Sequence, residues 1–402
     1  MKICEEFFFI NLICFSFVIF SCMFPTGFSA TFSTLAFLSA IPVFLKNIAH
    51  HRLPAFILFG MALFLYLTVS IIWSDARLTN SLISLSEYRI YFMIPVFGVA
   101  LSSIPKKIPL IICAIFFGCV IALFASYALA FDLLHIEGAN KSLANRIYHG
   151  FIMSILMAGC LVSADSVKSW FLRIVLYCIA ILALVNVLII ETGRTGYISI
   201  VVVMSVFFWL RLKGKELIFS GFFLATFLYL SFFNVPQFQS QVLKTYENFY
   251  KSVLQDDVSG ASSVSLRWEF YREGFEMGLE RPLFGYGIGG LVPELDRRYH
   301  NGLFTIQTDN IHNEYLNMFA AGGIPALVGF LLFVWSIARL GLKIRKRDPT
   351  EGDFLVCLAV IIAIFSAFNS TIKDYGEKHA LLVCLTLAYC SWRRHLEAGR
   401  RF

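Results

Sequence analysis

The stretch IPLIICAIFFGCVIALFASYALAF, Ile108 to Phe131, decides the fold. It carries no charge and is longer than the about 20 residues a helix needs to cross roughly 30 Å of hydrocarbon. In lipid every backbone N–H and C=O must be satisfied inside the segment, which a helix achieves and an open strand does not. Such a run is a membrane-spanning helix. The whole chain has the same character. Of its 402 residues 58% are hydrophobic, 43 are phenylalanine and only 15% are charged, against about 25% in an ordinary soluble domain. Composition therefore excludes a soluble globular enzyme and indicates an all-α polytopic membrane protein.

Working outward, apolar runs predict about twelve spans, near residues 7–24, 29–45, 54–73, 90–104, 108–131, 148–164, 170–190, 197–210, 217–235, 312–338, 353–371 and 379–392. The first has the length of a signal-peptide core. Glu5 and Glu6 stand where a leader is basic, and a second span follows at once, so it is read as retained. Lys and Arg resist translocation and mark cytoplasmic loops. They gather at Lys46 and Arg52, Lys106 and Lys107, Lys168 and Arg173, Arg211 to Lys215, Arg339 to Arg347 and Arg393 to Arg401. They are sparse at Arg77, Arg89, Lys141, Arg146, Arg194, Lys373 and Lys378. Both termini are expected in the cytoplasm, with residues 236–311 on the far side between the ninth and tenth spans. The net charge of +7 is then a topology signal and not a nucleic-acid footprint. The ten cysteines lie in or beside spans and show no metal-binding or disulfide spacing. Residues 1–402 read as one membrane domain with one insertion.

That insertion, 236–311, holds much of the chemistry. Ser265 to Glu280 predicts an amphipathic helix with Trp268, Tyr271, Phe275 and Leu279 laid on the membrane core and Glu269, Glu273, Glu276 and Glu280 opposite. Arg281-Pro282 stops it, and Gly285, Gly287, Gly289 and Gly290 follow as a turn. The spacing Gly285-x-Gly287-x-x-Gly290 matches a dinucleotide fingerprint, but no strand precedes it and no βαβ unit surrounds it. Arg272 stands between Glu269 and Glu276 at pairing distance along the helix and reads as a surface ion pair. Arg267 has only Ser263, Phe270 and Tyr271 at those positions. A guanidinium without a carboxylate beside an apolar stripe is costly unless an anion meets it, although a lipid headgroup would serve equally. Asp256-Asp257 resembles a metal-holding acidic pair but lies in a Ser/Gly-rich run, and no metal site is assigned.

Three further places attract attention. In Glu191-Thr192-Gly193-Arg194-Thr195-Gly196-Tyr197 an arginine stands at the outer end of a span, where charge is rare, and two glycines would let a bulky substrate reach the backbone. A guanidinium grips phosphate through two parallel hydrogen bonds, so Arg194 and Arg267 together would suit a diphosphate. His312 opens the tenth span in Asp309-Asn310-Ile311-His312-Asn313-Glu314, with Asp309 and Glu314 near enough to tune a ring suited to taking a proton at neutral pH. Arg89, the start of the span at Arg146 and the Lys373–His379 loop would line an outer vestibule or be solvated loop ends, and Asn313 beside His312 is a further candidate site residue.

Arg194-Thr195-Gly196, Arg267-Trp268 with Pro282-Leu283-Phe284-Gly285-Tyr286-Gly287, and His312-Asn313-Glu314-Tyr315 leading to Ala321-Gly322-Gly323-Ile324-Pro325 resemble the lipopolysaccharide O-antigen ligases and their ligase/polymerase superfamily. The resemblance covers most of the chain. It implies a glycosyltransferase of the membrane-embedded GT-C type in the bacterial inner membrane, acting at the periplasmic face. Its donor would be O-antigen on undecaprenyl diphosphate and its acceptor a sugar hydroxyl of lipid A-core, with inversion and without metal, nucleotide or other cofactor. Carried over residue by residue, Arg194 and Arg267 hold the diphosphate and His312 is the base. A polymerase with the same donor and a glycan acceptor is the nearest rival. A lipid-linked sugar flippase or transporter would carry ionisable residues through the middle of several spans, and here the span interiors are nearly clean.

Overall fold

The computed structural model describes residues 26–399 apart from 137–140, 144, 192 and 255–261. The expected span at 7–24 and the Asp256-Asp257 pair lie outside the described residues. Among those described, every regular element is helical. Eight helices are long and apolar enough to cross a membrane, or nine if the bent pair Leu78–Glu87 and Ile90–Ser102 counts as one span. Tyr375–Glu397 occupies the last expected span, but Glu377 and Lys378 at one end and Arg393 and Arg394 at the other leave it a short apolar middle.

In chain order the helices are α1 (Thr26–Asn47), α2 (Ala55–Val69), α3 (Leu78–Glu87), α4 (Ile90–Ser102), α5 (Ile108–Ala130), α6 (Arg146–Ala164), α7 (Trp170–Val185), α8 (Arg194–Arg211) and α9 (Lys215–Asn234). The insertion supplies α10 (Pro236–Phe249), α11 (Ser263–Glu280) and α12 (Leu291–His300), and the chain finishes with α13 (Glu314–Arg345), α14 (Pro349–Phe368) and α15 (Tyr375–Glu397). The core is built on α13, which packs along α14 and α2, and on α6, which packs along α7 and α8. Gly150 and Gly196 make the last of these crossings close: a Cβ on Gly150 would lie 3.1 Å from the Gly196 Cα. By contrast α9 turns Phe219, Phe222 and Phe223 outward and buries only Leu224. That is the surface of a helix facing lipid.

Two ends of the bundle differ chemically. At one, Asp353 is fully buried between Arg211 and Arg345 (2.5 Å each), and Arg211 also reaches Asp165 (3.2 Å). A buried carboxylate needs such partners, since alone it would pay several kcal/mol of desolvation. At the other end lies the insertion. There α11 presses Gly274 and Gly278 against Ile311 and Phe319, which a Cβ on either glycine would meet at 2.8 and 2.1 Å.

The inward face of α11 differs from the amphipathic expectation. Glu269 and Glu273 are buried with Phe270 and Met277, while Phe275 and Leu279 are exposed. Glu269 accepts from Thr305 N (3.0 Å) and Oγ1 (2.6 Å), and Glu273 pairs with Arg298 (2.9 Å). Partners from distant sequence turn these carboxylates inward, which a local periodicity cannot register.

Candidate active site

The site is assembled along the first turns of α11. Ser262 starts that helix, its hydroxyl accepting from Ser265 N (3.1 Å). Arg194, the first residue of α8, donates to the Ser263 hydroxyl (3.1 Å). Arg267 stands one turn further along. One turn beyond it, the Tyr271 hydroxyl donates to the backbone carbonyl of His312 (3.1 Å), and the Phe270 ring lies 6.0 Å from the His312 ring. Ser263 to Tyr271 is a rise of about 12 Å. Residues far apart in the chain thus meet along two turns of one helix.

Local structure explains each placement. α7 ends in a π-helical turn, Asn186–Ile190, and the buried Glu191 accepts from Ser142 (2.5 Å). Gly193 then passes Arg146, whose carbonyl a Cβ would approach to 3.4 Å. The space at Gly196 is filled by the Val187 side chain and the Gly150 backbone, which a Cβ would meet at 3.0 and 3.5 Å, and is not an opening for substrate. This packing brings Arg146 to Arg194, and the charges of Arg267 and Arg146 both repel Arg194. Among the described residues no carboxylate pairs with Arg146, Arg194 or Arg267. Like charges held together unpaired form a ready anion site.

His312 adopts φ 56°, a left-handed conformation that costs a non-glycine residue about 1–2 kcal/mol. It is held there from both sides: its N–H donates to Asn310 Oδ1 (2.9 Å) and its carbonyl accepts from Tyr271. Asn310 is itself fixed by Ser370 (2.5 Å) and Asn317 (3.2 Å). Strain maintained by surrounding structure is typical of functional positions. Burial first, then the Arg267 and Lys373 charges, hold the His312 ring below the ordinary histidine range, with Asp309 opposing them. These surroundings favour the neutral ring, the form able to accept a proton.

The remaining expected residues are distributed differently. Glu314 does not act on His312; its buried carboxylate accepts from Ile372 N (3.2 Å). Asn313 is spent on structure, its Oδ1 capping α13 at Leu316 N (3.1 Å) and its Nδ2 donating to Ala367 O (2.9 Å). Arg89 donates to Ser86 O (2.9 Å) at the bend between α3 and α4 and is a charged neighbour of Lys378 and His379, not of Arg194 or His312. Lys373 joins that second group to the site, bonding Asp309 O (3.0 Å) and pairing with Glu87 (3.5 Å). Arg146 and Lys373 were the sequence's undervalued residues. Their only signal was a cation at a span end on the same side as Arg194.

Residues 178–331 match the family described as O-antigen ligase. Over that stretch the chain is similar to the O-antigen ligases. The matched stretch runs from α7 into α13 and contains Arg194, Arg267, His312 and Asn313, while Arg89, Arg146 and Lys373 lie outside it. No curated protein matches the chain. The match supports a role of the ligase/polymerase kind, that of a multi-pass membrane enzyme of glycosyltransferase type acting on lipid-linked glycans.

Proposed function

We propose that this protein is an O-antigen ligase, transferring O-antigen from undecaprenyl diphosphate to a sugar hydroxyl of lipid A-core at the periplasmic face of the inner membrane. The observation that carries this reading is the meeting of Arg194, Arg267 and His312 on α11, with no described carboxylate paired to either arginine. The acceptor oxygen attacks the anomeric carbon, the bond from that carbon to the diphosphate oxygen breaks, and undecaprenyl diphosphate leaves with the electron pair. The hydroxyl proton passes to neutral His312, a contribution of about 10²- to 10⁴-fold. Charge building on the leaving diphosphate falls to Arg194 and Arg267, with Arg146 beside them. Removing one such preorganised donor commonly costs about 3–4 kcal/mol.

The test is a ligase-deletion strain complemented with wild type, Arg194→Ala, Arg267→Ala or His312→Ala, with O-antigen on lipid A-core scored by gel and membrane insertion by blot. All three variants should insert normally and lose ligation. Wild-type capping by His312→Ala would remove the base. If the wild type lengthened lipid-linked glycan in a polymerase-deletion strain and failed to cap, the acceptor would be another glycan.

A further inference from the structure

The turn that follows α11 is apolar and uncovered where a soluble surface would be polar. Phe275, Leu279, Leu283 and Phe284 are 51%, 57%, 63% and 58% exposed. Yet the turn is not loose. Its backbone is bonded into two spanning helices: Ile324 N donates to Pro282 O (2.7 Å), Tyr286 N to Ala320 O (2.9 Å), Trp73 Nε1 to Phe284 O (3.0 Å) and Ile288 N to Ser70 Oγ (3.0 Å). Gly285 and Gly287 hold φ of 63° and 76°, and a Cβ on them would meet the backbone of Ala321 at 2.5 Å and of Ser70 at 2.6 Å. Only glycine permits this contact.

The depth of the turn follows from α13. That helix breaks at Gly323 (φ 67°, ψ −163°) ahead of Pro325. From Ile324 to Arg345 its straight part rises about 32 Å at 1.5 Å per residue, close to the roughly 30 Å of bilayer hydrocarbon. With the cations Arg339, Lys343 and Arg345 reaching the far headgroups, Ile324 sits at the near edge of the hydrocarbon or below it, and the Pro282 carbonyl accepts from its N–H. Ile324, Val328, Leu331 and Trp335 form an exposed stripe down α13, and the uncovered side chains of the turn continue it upward. Tyr66, Trp73 and Phe284 meet ring to ring beside it (6.0 and 5.5 Å), in the manner of an interfacial aromatic belt.

We propose that the turn Arg281–Gly287 is a membrane anchor, with Leu283, Phe284 and the adjoining Leu279 inserted among the acyl chains of the leaflet on the insertion side. The anchor fixes the depth of α11 and hence of Arg267. It stands independently of the catalytic reading. The test places a benzophenone-bearing phenylalanine at 279, 283 or 284, and at the exposed Arg297 of α12 as reference, in the full chain held in nanodiscs of phosphatidylethanolamine and phosphatidylglycerol. These side chains are exposed, and unfolding temperature checks that each variant is native. After irradiation, intact mass should show lipid adducts at 283 and 284 in several-fold excess over 297. Yields at both positions no higher than at 297 would overturn the anchor. So would capture of solvent or protein in place of lipid.

Discussion

Replacing Arg298 by alanine should loosen the insertion while leaving the spans intact. This guanidinium is almost fully buried in α12 and bonds Glu294 (2.8 Å), Glu273 (2.9 Å) and Glu280 (2.5 Å). Those carboxylates are not equally dependent on it. Glu294 keeps Arg297 (2.7 Å), and Glu280 is half exposed and keeps the Tyr286 hydroxyl. Glu273 is buried and would retain only Arg272 at 3.4 Å. Stripping the partner from a buried charge costs about 3–5 kcal/mol, and the remaining Arg272 argues for about 3. At 1.4 kcal/mol per tenfold, local opening of α11 and α12 should become about 100-fold more frequent. Hydrogen–deuterium exchange by mass spectrometry would read this directly, with α14 as the internal reference. Wild-type exchange in α11 at neutral pH would refute the claim that Arg298 holds the insertion together.

Neutral His312 as base predicts transfer that falls only below the ordinary histidine range; Lys373→Gln removes one of the charges depressing the ring and should move that acid limb to higher pH, so an unmoved pH–rate profile would contradict the coupling. Asn313→Ala removes the α13 cap and the tie to Ala367 and should cost about 1 kcal/mol, seen as a lower unfolding temperature with Asn313→Asp retaining more of the cap. Gly278→Ala places a Cβ 2.1 Å from the Phe319 ring and should cost about 1–3 kcal/mol, whereas Gly221→Ala in α9, with nothing within 4 Å, should be neutral or slightly stabilising. Equal unfolding temperatures for those two variants would mean that α11 does not pack as described.

Much of the architecture was legible because lipid imposes one strong constraint. An uncharged run such as Ile108–Phe131 has no alternative to a helix, and the expected spans within the described residues fall on helices for that reason. Arg194 and Arg267 stood out as candidates because charge at the rim of a greasy chain is costly and therefore conspicuous, and His312 because an imidazole can take a proton near neutral pH. Side-chain facing was less so. The inward turn of Glu269 and Glu273 depends on Thr305 and Arg298, and the role of Gly196 depends on Gly150 in another helix.

By itself the sequence determined that this is an all-helical membrane protein with a charged insertion, since hydrophobic length and the distribution of cations are one-dimensional properties. Only the tertiary structure decided that Arg194, Arg267 and His312 meet on two turns of α11, that Arg146 joins them, and that His312 is held in a left-handed backbone. Those facts depend on packing between segments distant in the chain, on glycine crossings and on hydrogen bonds to Asn310 and Tyr271. No local pattern encodes such contacts, because each partner is chosen by a neighbour that the chain itself brings back from far away.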